Sequence, residues 1–237
     1  MKRYIRSKSR IFGSLAQPVL YLLSFGYGFG AVFRAAGQGN YISFLAPGIV
    51  GMSILFTSIF SGMQVIWDRQ FGFLKETLIA PVPRILIMFG RVLGSATVAT
   101  MQGVIVLVVT LVSGFHPVSW ALVPAAILTM LLVSVVFCAF GTIIGSLLKD
   151  MQGFQLIMNF LVMPLFFLSG ALFPLTNVPT VMKVIAAIDP LAYGVDAMRT
   201  LLTGVTHFGL LLDYTVLIAL AVVLLAAGAR FFSKIEV

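Results

Sequence analysis

Residues 120–147, WALVPAAILTMLLVSVVFCAFGTIIGSL, run for 28 positions without an Asp, Glu, Lys or Arg. A helix of about 20 mostly apolar residues is enough to cross the hydrocarbon core of a bilayer, which is about 30 Å thick. The stretch is therefore long and apolar enough to span a membrane. We expect it to be a helix, because in lipid its backbone donors and acceptors must pair within the segment.

Five more stretches of the chain share this length and character. Of the 237 residues, 60% are hydrophobic and 9% are charged, whereas about 25% of residues are charged in soluble domains. The bilayer is therefore the expected solvent. We predict an all-α polytopic membrane protein, a single domain over residues 1–237, with six transmembrane helices at 11–33, 44–66, 92–113, 120–147, 153–173 and 209–229.

The basic residues are distributed unequally between the two sides that six spans create. Cytoplasmic loops of membrane proteins carry the excess of Lys and Arg. We therefore predict a multi-pass protein of the cell (plasma) membrane with both termini in the cytoplasm. The net charge of +8 then reflects the orientation of the protein in the membrane and does not indicate nucleic-acid binding. The predicted outer side receives only Arg34, Lys183 and Arg199, and the cytoplasmic side receives Lys2, Arg3, Arg6, Lys8, Arg10, Arg69, Lys75, Arg84, Arg91, Lys149, Arg230 and Lys234.

The sequence lacks the common motifs for catalysis and for nucleotide or metal binding. The patterns G-x-x-x-x-G-K-[ST], H-E-x-x-H and C-x-x-C are absent. His116 and His207 have no acidic or cysteine neighbour at ligand spacing. The 7 acidic residues lie at or outside predicted span ends, which argues against a proton-coupled transporter. We predict no enzyme activity, catalytic residue, metal site or cofactor in this chain.

The 67–91 loop is the one sizeable polar segment on the predicted cytoplasmic side. Residues 69–79 have apolar side chains at helical spacing and charged side chains on other faces. The prolines at 81 and 83 then end the pattern, because proline removes a backbone donor and disfavours the helical conformation before it. We predict a short amphipathic helix, which either lies on the lipid headgroups or docks a soluble protein.

The fifth span carries a polar stripe formed by Gln152, Gln155 and Asn159. Their spacing of three and four residues places them on one face of a helix. Polar groups are costly in lipid, so this face must meet protein or a water-filled path. Two interpretations remain open: hydrogen bonding between helices, and lining of a substrate path by Gln155 and Asn159.

After the fifth span, prolines interrupt stretches that are apolar but too short to cross a membrane. Residues 180–188 predict a half-helix, and Asp189 with Pro190 predicts the N-cap and first position of a second one. Asp196 and Arg199 lie on one face of that second helix and should pair with each other or with groups on another helix. The 174–208 segment is either re-entrant from the outer face or a lid lying on it.

Three stretches resemble the permease subunits of type-2 ABC exporters, the ABC-2 family, and especially its drug-resistance branch of the daunorubicin-exporter kind. The first is NYISFLAPG at residues 40–48, and the second is DRQFGFLKETLIAPVPR at residues 68–84. The third is LSGALFP at 168–174, which leads into IDPLAY at 188–193 and DAMR at 196–199. The resemblance covers nearly the whole chain, in order.

The resemblance implies a six-span permease that pairs with a second copy and with two copies of a separate ABC ATPase subunit, which binds ATP and Mg. The loop between spans two and three would be the coupling helix that docks in the ATPase. Carried over by position, its docking residues would be Gln70, Phe71, Gly72, Leu74, Lys75, Glu76 and Leu78. The outer re-entrant half-helices would carry Pro174, Asp189, Pro190, Tyr193, Asp196 and Arg199. Relatives commonly have an acidic residue where Gln70 stands.

These observations lead to one functional hypothesis and one alternative. The hypothesis is the permease subunit of an ATP-binding cassette exporter, which moves amphipathic or lipophilic compounds, drug-like or lipid-like, outward. Its partners would be the ATPase, a second permease copy and membrane lipid. The alternative is a membrane scaffold or assembly protein that recruits a soluble partner through the 67–91 loop. A scaffold has no need of the broken outer segment.

Overall fold

The computed structural model describes residues 8–35, 40–73, 82–148 and 150–233 of the chain. Within these ranges every regular element is a helix, and a π-helical turn at Met158–Val162 joins the helices Met151–Ile157 and Met163–Leu168. The helices are α1 (Lys8–Gly28), α2 (Gly30–Ala35), α3 (Tyr41–Phe60), α4 (Met63–Gln70), α5 (Arg84–Val112), α6 (Val123–Leu147), α7 (Met151–Ile157), α8 (Met163–Leu168), α9 (Thr180–Ile188), α10 (Pro190–Thr203) and α11 (Leu210–Ser233).

Among the described residues, five helical stretches are long and apolar enough to cross a membrane. They are Tyr41–Gln70, Arg84–Val112, Trp120–Leu147, Met151–Leu168 and Leu210–Ser233. They correspond to predicted spans two to six, so the all-α polytopic membrane fold is confirmed. The predicted first span, 11–33, coincides with α1 and α2, which are separated at Phe29 and are not among the five.

Several boundaries differ from those expected. The fifth span ends at Leu168 rather than at 173. The third begins at Arg84, directly after Pro83, so residues 84–91 of the predicted loop belong to α5. Proline just before or at the first turn suits a helix start, because the first N–H groups have no intrahelical partner.

The core of the bundle lies around α3, which packs against α1, α5, α6 and α10. α6 lies beside it and also contacts α5, α10 and α11. Of the five spans, Tyr41–Gln70 is the most buried inside the chain, at 72%, whereas Met151–Leu168 and Leu210–Ser233 are the least buried, at 22% and 17%. The Met151–Leu168 helix is therefore peripheral, and much of its surface faces away from the rest of the chain.

Glycine allows α3 and α4 to approach α6 closely. A Cβ added at Gly62 would collide with the carbonyl group of Gly141, and one added at Gly145 would collide with the carbonyl oxygen of Gly62. The colliding atoms belong to the backbone, so they cannot move aside as a flexible side chain can. This contact fixes the end of α3 against the last turns of α6, next to the 67–91 loop.

Candidate functional site

The base of the 67–91 loop is held by side chains that reach other helices. The Arg69 guanidinium donates hydrogen bonds of 2.9 Å to the carbonyl oxygen of Ser146 and 3.0 Å to that of Leu148. These carbonyls belong to the last turn of α6 and its C-cap, where backbone acceptors have no intrahelical partner. Arg69 therefore ties the end of α4 to the end of α6.

Two further contacts complete this loop base. Asp68 forms an ion pair with Arg91, which links the end of α4 to the beginning of α5. The indole N–H of Trp67 lies 2.8 Å from the sulfur of Met151, the first residue of α7. Three helices, α5, α6 and α7, are thus connected to the first three residues of the loop.

The structure changes the predicted helix at 69–79. Arg69 and Gln70 are the last two residues of α4, and Phe71 is its C-cap. Gly72 has a φ of +79°, in the left-handed region that favours glycine, and Phe73 is again helical. A helix continuous from Arg69 is therefore wrong, because the backbone turns at Gly72.

The docking positions suggested by the resemblance divide into two groups. Gln70, Phe71 and Gly72 lie at this turn, where the Phe71 ring is 71% exposed. The remaining four, Leu74, Lys75, Glu76 and Leu78, lie outside the residues that the structure describes.

At the other end of the molecule, the two predicted half-helices form with the expected bounds. The Asp189 side chain accepts a hydrogen bond of 2.8 Å from the Leu191 N–H, and Pro190 is the first residue of α10. Burial raises the pKa of the Asp189 carboxyl to about 7, and the Leu191 hydrogen bond lowers it in part. The N-cap predicted from Asp189 and Pro190 is confirmed.

The two half-helices differ in their surroundings. Most of α10 is buried, and it packs against α3, α6 and α11. α9 is mostly exposed: Val181, Val184 and Ile188 are 69%, 54% and 76% exposed. Pro174 precedes a short 3-10 turn, Leu175–Asn177, that leads towards α9. α10 is thus inserted among the spans, with α9 at its edge.

Asp196 and Arg199 do not form an ion pair, although both are buried. The Asp196 carboxylate accepts hydrogen bonds from the N–H groups of His207, at 2.9 Å, and Phe208, at 2.7 Å. It thereby organises the turn that leads into α11. Direct pairing with Arg199, one of the two predicted possibilities, is therefore wrong.

Arg199 instead binds groups from two other parts of the chain. Its guanidinium donates a 3.0 Å hydrogen bond to the Gly170 carbonyl oxygen and lies 4.1 Å from the ring centroid of Phe44 in α3. Tyr41, one turn before Phe44, donates a 2.8 Å hydrogen bond to the Leu172 carbonyl oxygen. The stretches 40–48, 168–174 and 196–199 therefore meet in space.

Tyr193 contributes a second set of contacts to this region. Its hydroxyl donates a 2.6 Å hydrogen bond to the Ala187 carbonyl oxygen of α9, and its ring lies 4.8 Å from that of Phe208. Tyr193 thus holds α9, α10 and the turn before α11 together. Sequence reasoning missed Tyr41 and Phe44, since their partners are more than 100 residues away in the chain.

Asp213 was also missed as a buried group. It lies in the first turn of α11 with no exposed surface, and within the described part of the chain neither of its carboxylate oxygens accepts a hydrogen bond. Its sequence position indicated only that it stands near a span end. The helix N-terminus offers partial electrostatic compensation for a carboxylate there.

The polar stripe lies on the exposed side of α7 and the π-helical turn. Gln152, Gln155 and Asn159 are all exposed, and the bond that the structure gives them is a 3.5 Å contact between Gln155 and Asn159 themselves. Their amides do not reach another helix of the described chain. Within one copy, the interhelical interpretation of this stripe is therefore not supported.

The comparisons with known proteins agree with this arrangement. Residues 1–203 match the family model described as ABC-2 type transporter. The chain is 27% identical to nodulation protein J of Rhizobium leguminosarum bv. viciae, over 87% of this chain and 82% of that protein. It is 29% identical to the putative transport permease ycf38 of Cyanophora paradoxa, over 84% and 70%.

A further relative is the inner membrane transport permease YadH of Escherichia coli strain K12. It is 26% identical over 88% of this chain and 83% of its own length. The family match covers the loop base, the polar stripe and all of α10. This chain belongs to the ABC-2 type transporter family.

Proposed function

We propose that this chain is the permease subunit of an ATP-driven exporter and moves amphipathic or lipophilic compounds outward across the cell membrane. It would work as two copies with two copies of an ABC ATPase subunit, which binds ATP and Mg. Membership of the ABC-2 family supports a transport permease that associates with such an ATPase. The transport permeases among the relatives support the membrane location.

The observation that carries the proposal is the rigid connection at the loop base. A nucleotide can shift the spans only by its differential affinity for two states, so the movement of the ATPase must reach the spans through a stiff element. Arg69 binds the end of α6, Asp68 binds α5 and Trp67 contacts α7. A displacement of the loop would therefore move three helices together.

The other parts of the chain fit the same assignment. The inserted α10 supports the re-entrant interpretation of the 174–208 segment, which would close the path on the outer side. The exposed Gln155 and Asn159 would line a path between two permease copies, because such amides are costly against lipid. With the predicted orientation, both termini and the loop base lie in the cytoplasm.

A scaffold that recruits a soluble partner is the alternative, and it would need the loop alone. The test is reconstitution of the chain with an ABC ATPase subunit that co-purifies with it, followed by ATP-dependent accumulation of fluorescent amphiphiles in inside-out vesicles. Gly72→Arg is expected to abolish accumulation and co-purification of the ATPase, since a side chain at that φ is strained.

Gly90→Arg, at an open position in α5, is the matched control and should retain the ATPase. Stable binding of the ATPase without any nucleotide-dependent movement of an amphiphile would favour the scaffold.

A further inference from the structure

Two buried carboxylates lie close together where α10 meets α11. Asp196 of α10 is 2% exposed, and Asp213 of α11 has no exposed surface. The two helices pack against each other, and the two carboxylates are near enough to interact electrostatically. The hydroxyl of Tyr193 on α10 is also within electrostatic range of Asp213. Asp213 is therefore buried at the contact between two helices, near a group of like charge.

The hydrogen bonds of the two carboxylates differ. Asp196 accepts hydrogen bonds from the N–H groups of His207 and Phe208, which stabilise its negative charge. Within the described part of the chain, neither carboxylate oxygen of Asp213 has a hydrogen-bond partner. The backbone N–H of Asp213 donates a 3.0 Å bond to the carbonyl oxygen of Gly209, so Asp213 directly follows the turn that Asp196 organises. Of the two, only Asp196 thus has the donors that an ionised carboxylate needs.

The spans packed against α11 supply no counter-charge near Asp213 from their described residues. α6 contains no Asp, Glu, Lys, Arg, His or Tyr, and its Cys138 belongs to a cluster at the other end of α11. The charged residues of α5 are Arg84 and Arg91, in its first two turns. Arg84 binds the carbonyl oxygen of Ser233, which is the last residue of α11. The cations of these two spans therefore lie far from Asp213.

The groups on α10 and around the turn are already engaged with other partners. Arg199 binds the carbonyl group and the ring described above, and the exposed His207 ring packs against the next residue. The Tyr214 hydroxyl contacts that of Thr129 on α6 at 2.6 Å. The dipole at the N-terminus of α11 compensates only part of the cost of burying an ion. In this packing the neutral acid of Asp213 is therefore favoured over the carboxylate.

We propose that Asp213 is a proton-binding site whose occupancy depends on the packing of α10 against α11. Asp213 holds a proton while the two helices are packed as described. When they separate, the proton passes to water on the outer side, as the predicted orientation places it, and water solvates the carboxylate. The site goes beyond the proposed function, because proton binding here requires neither the ATPase nor a transported compound.

Infrared spectroscopy of the permease in lipid nanodiscs, without ATPase or nucleotide, detects the proton directly. Because burial raises the pKa of Asp189 to about 7, Asp189→Asn is the background that removes the signal of that carboxyl. In this background we expect the absorption of a protonated carboxyl at pH 7.5 and at least a fivefold loss when Asp213→Asn is added. Adding Asp150→Asn, at the N-cap of α7, is the matched control and should leave the absorption unchanged.

A second measurement tests whether helix packing controls access to the site. After transfer to deuterium oxide, the carboxyl absorption shifts as deuterium replaces the proton, and the rate of this shift reports contact with water. Phe208→Leu weakens the contact of 4.8 Å between the Phe208 and Tyr193 rings and should speed the exchange at least tenfold. Phe160→Leu, the same substitution at a 79% exposed position, should not change the exchange rate.

Three results would overturn the proposal. An undiminished absorption in Asp213→Asn would show that another group carries the proton. Loss of the absorption in sodium chloride, but not in choline chloride at the same pH, would show that the carboxylate binds a metal cation instead. Equal exchange rates in the unmodified protein and in Phe208→Leu would show that water reaches Asp213 whatever the packing of α10. A permease that retains the absorption but fails to transport would refute the proposed function and leave this site intact.

Discussion

The Arg69 guanidinium donates a 3.0 Å hydrogen bond to the carbonyl oxygen of Leu148, across 79 residues of sequence. Leu148 is the C-cap of α6, and the second Arg69 bond, to Ser146, reaches the turn before it. A single cation thus satisfies the backbone acceptors at one helix end while belonging to another helix. Together the two bonds connect the 67–91 loop directly to the end of α6.

Arg69→Met should therefore interrupt transmission from the ATPase while leaving its docking surface in place. Hydrogen bonds to a charged group contribute about 1.5–3 kcal/mol each. We expect the ATPase to co-purify normally. The nucleotide-dependent change in distance between spin labels at Leu147 of the two proposed copies, measured by pulsed EPR spectroscopy, should be lost.

Arg84→Met provides the control for this experiment. Arg84 also binds a helix-end carbonyl, that of Ser233 at 2.7 Å, but this contact is exposed. Its loss should leave the distance change within about 20% of the original value, because exposed contacts contribute little. A full distance change in Arg69→Met would show that movement reaches α6 by another route.

The surroundings of Asp196 and Arg199 predict that exchanging these two residues will not restore the stability lost in either single variant. Because the two residues bind different groups, exchanging their charges restores neither the His207 and Phe208 contacts nor the Gly170 contact. Each buried donor or acceptor left unpaired costs about 1–3 kcal/mol. We expect the Asp196→Arg, Arg199→Asp double variant to be at least as unstable as either single variant.

The stability of the single and double variants is measured by thermal unfolding in detergent, followed by size-exclusion chromatography. Two milder substitutions test the contact between the Arg199 guanidinium and the Phe44 ring. In a double-mutant cycle, Phe44→Leu and Arg199→Lys should show a coupling energy of about 0.5–2 kcal/mol. Rescue of stability by the charge swap would mean that a direct ion pair forms after all.

The outer half-helices could be predicted from the sequence because their signals are local. Asp189 followed by Pro190 specifies an N-cap and a first helical position within two residues, and the structure has both. The apolar spans were predictable for the same reason, since length and composition suffice. Both kinds of signal require no knowledge of the rest of the chain.

The contacts that hold the site together depend on distant residues and could not be predicted in this way. Arg199 could have met Asp196 three positions away, but in the folded chain it binds the Gly170 carbonyl and lies over the Phe44 ring. The end of α4 was missed because Arg69 and Phe71, which precede Gly72, and Phe73, which follows it, are all residues that a helix tolerates. Tertiary contacts at Arg69 decide where that helix ends.

The Asp189 carboxyl predicts a pH-dependent stability. Its pKa is raised to about 7 in the folded chain, against about 3.9 for an unperturbed Asp. The stability it contributes is therefore complete below about pH 4 and is lost as the pH rises to about 7. Asp189→Asn keeps the side-chain oxygen that accepts from Leu191 but does not ionise.

We expect the melting temperature of the unmodified protein to fall relative to that of Asp189→Asn between pH 5 and pH 7.5. Asp189→Ala, which removes the cap, should be less stable than Asp189→Asn by about 1 kcal/mol at every pH, because neither side chain ionises. Differential scanning fluorimetry in one detergent across this range gives both comparisons. Parallel curves for the Asp and Asn proteins would show that the carboxyl does not titrate there.

The close contact between Gly48 and Ala171 gives the last prediction. A Cβ at Gly48 in α3 would collide with the backbone carbonyl group of Ala171. Ala171 follows Gly170, whose carbonyl oxygen accepts the hydrogen bond from Arg199. Gly48→Ala should therefore displace the 169–173 turn and destabilise the protein by more than about 3 kcal/mol. Gly94→Ala, on α5 with open space around its Cβ position, should instead be neutral or stabilising by up to about 1 kcal/mol. The measurement is the melting temperature of the two variants in the same detergent. Equal melting temperatures would mean that α3 and the 169–173 turn can separate without loss of stability. The 40–48 and 168–174 stretches would then meet without depending on each other.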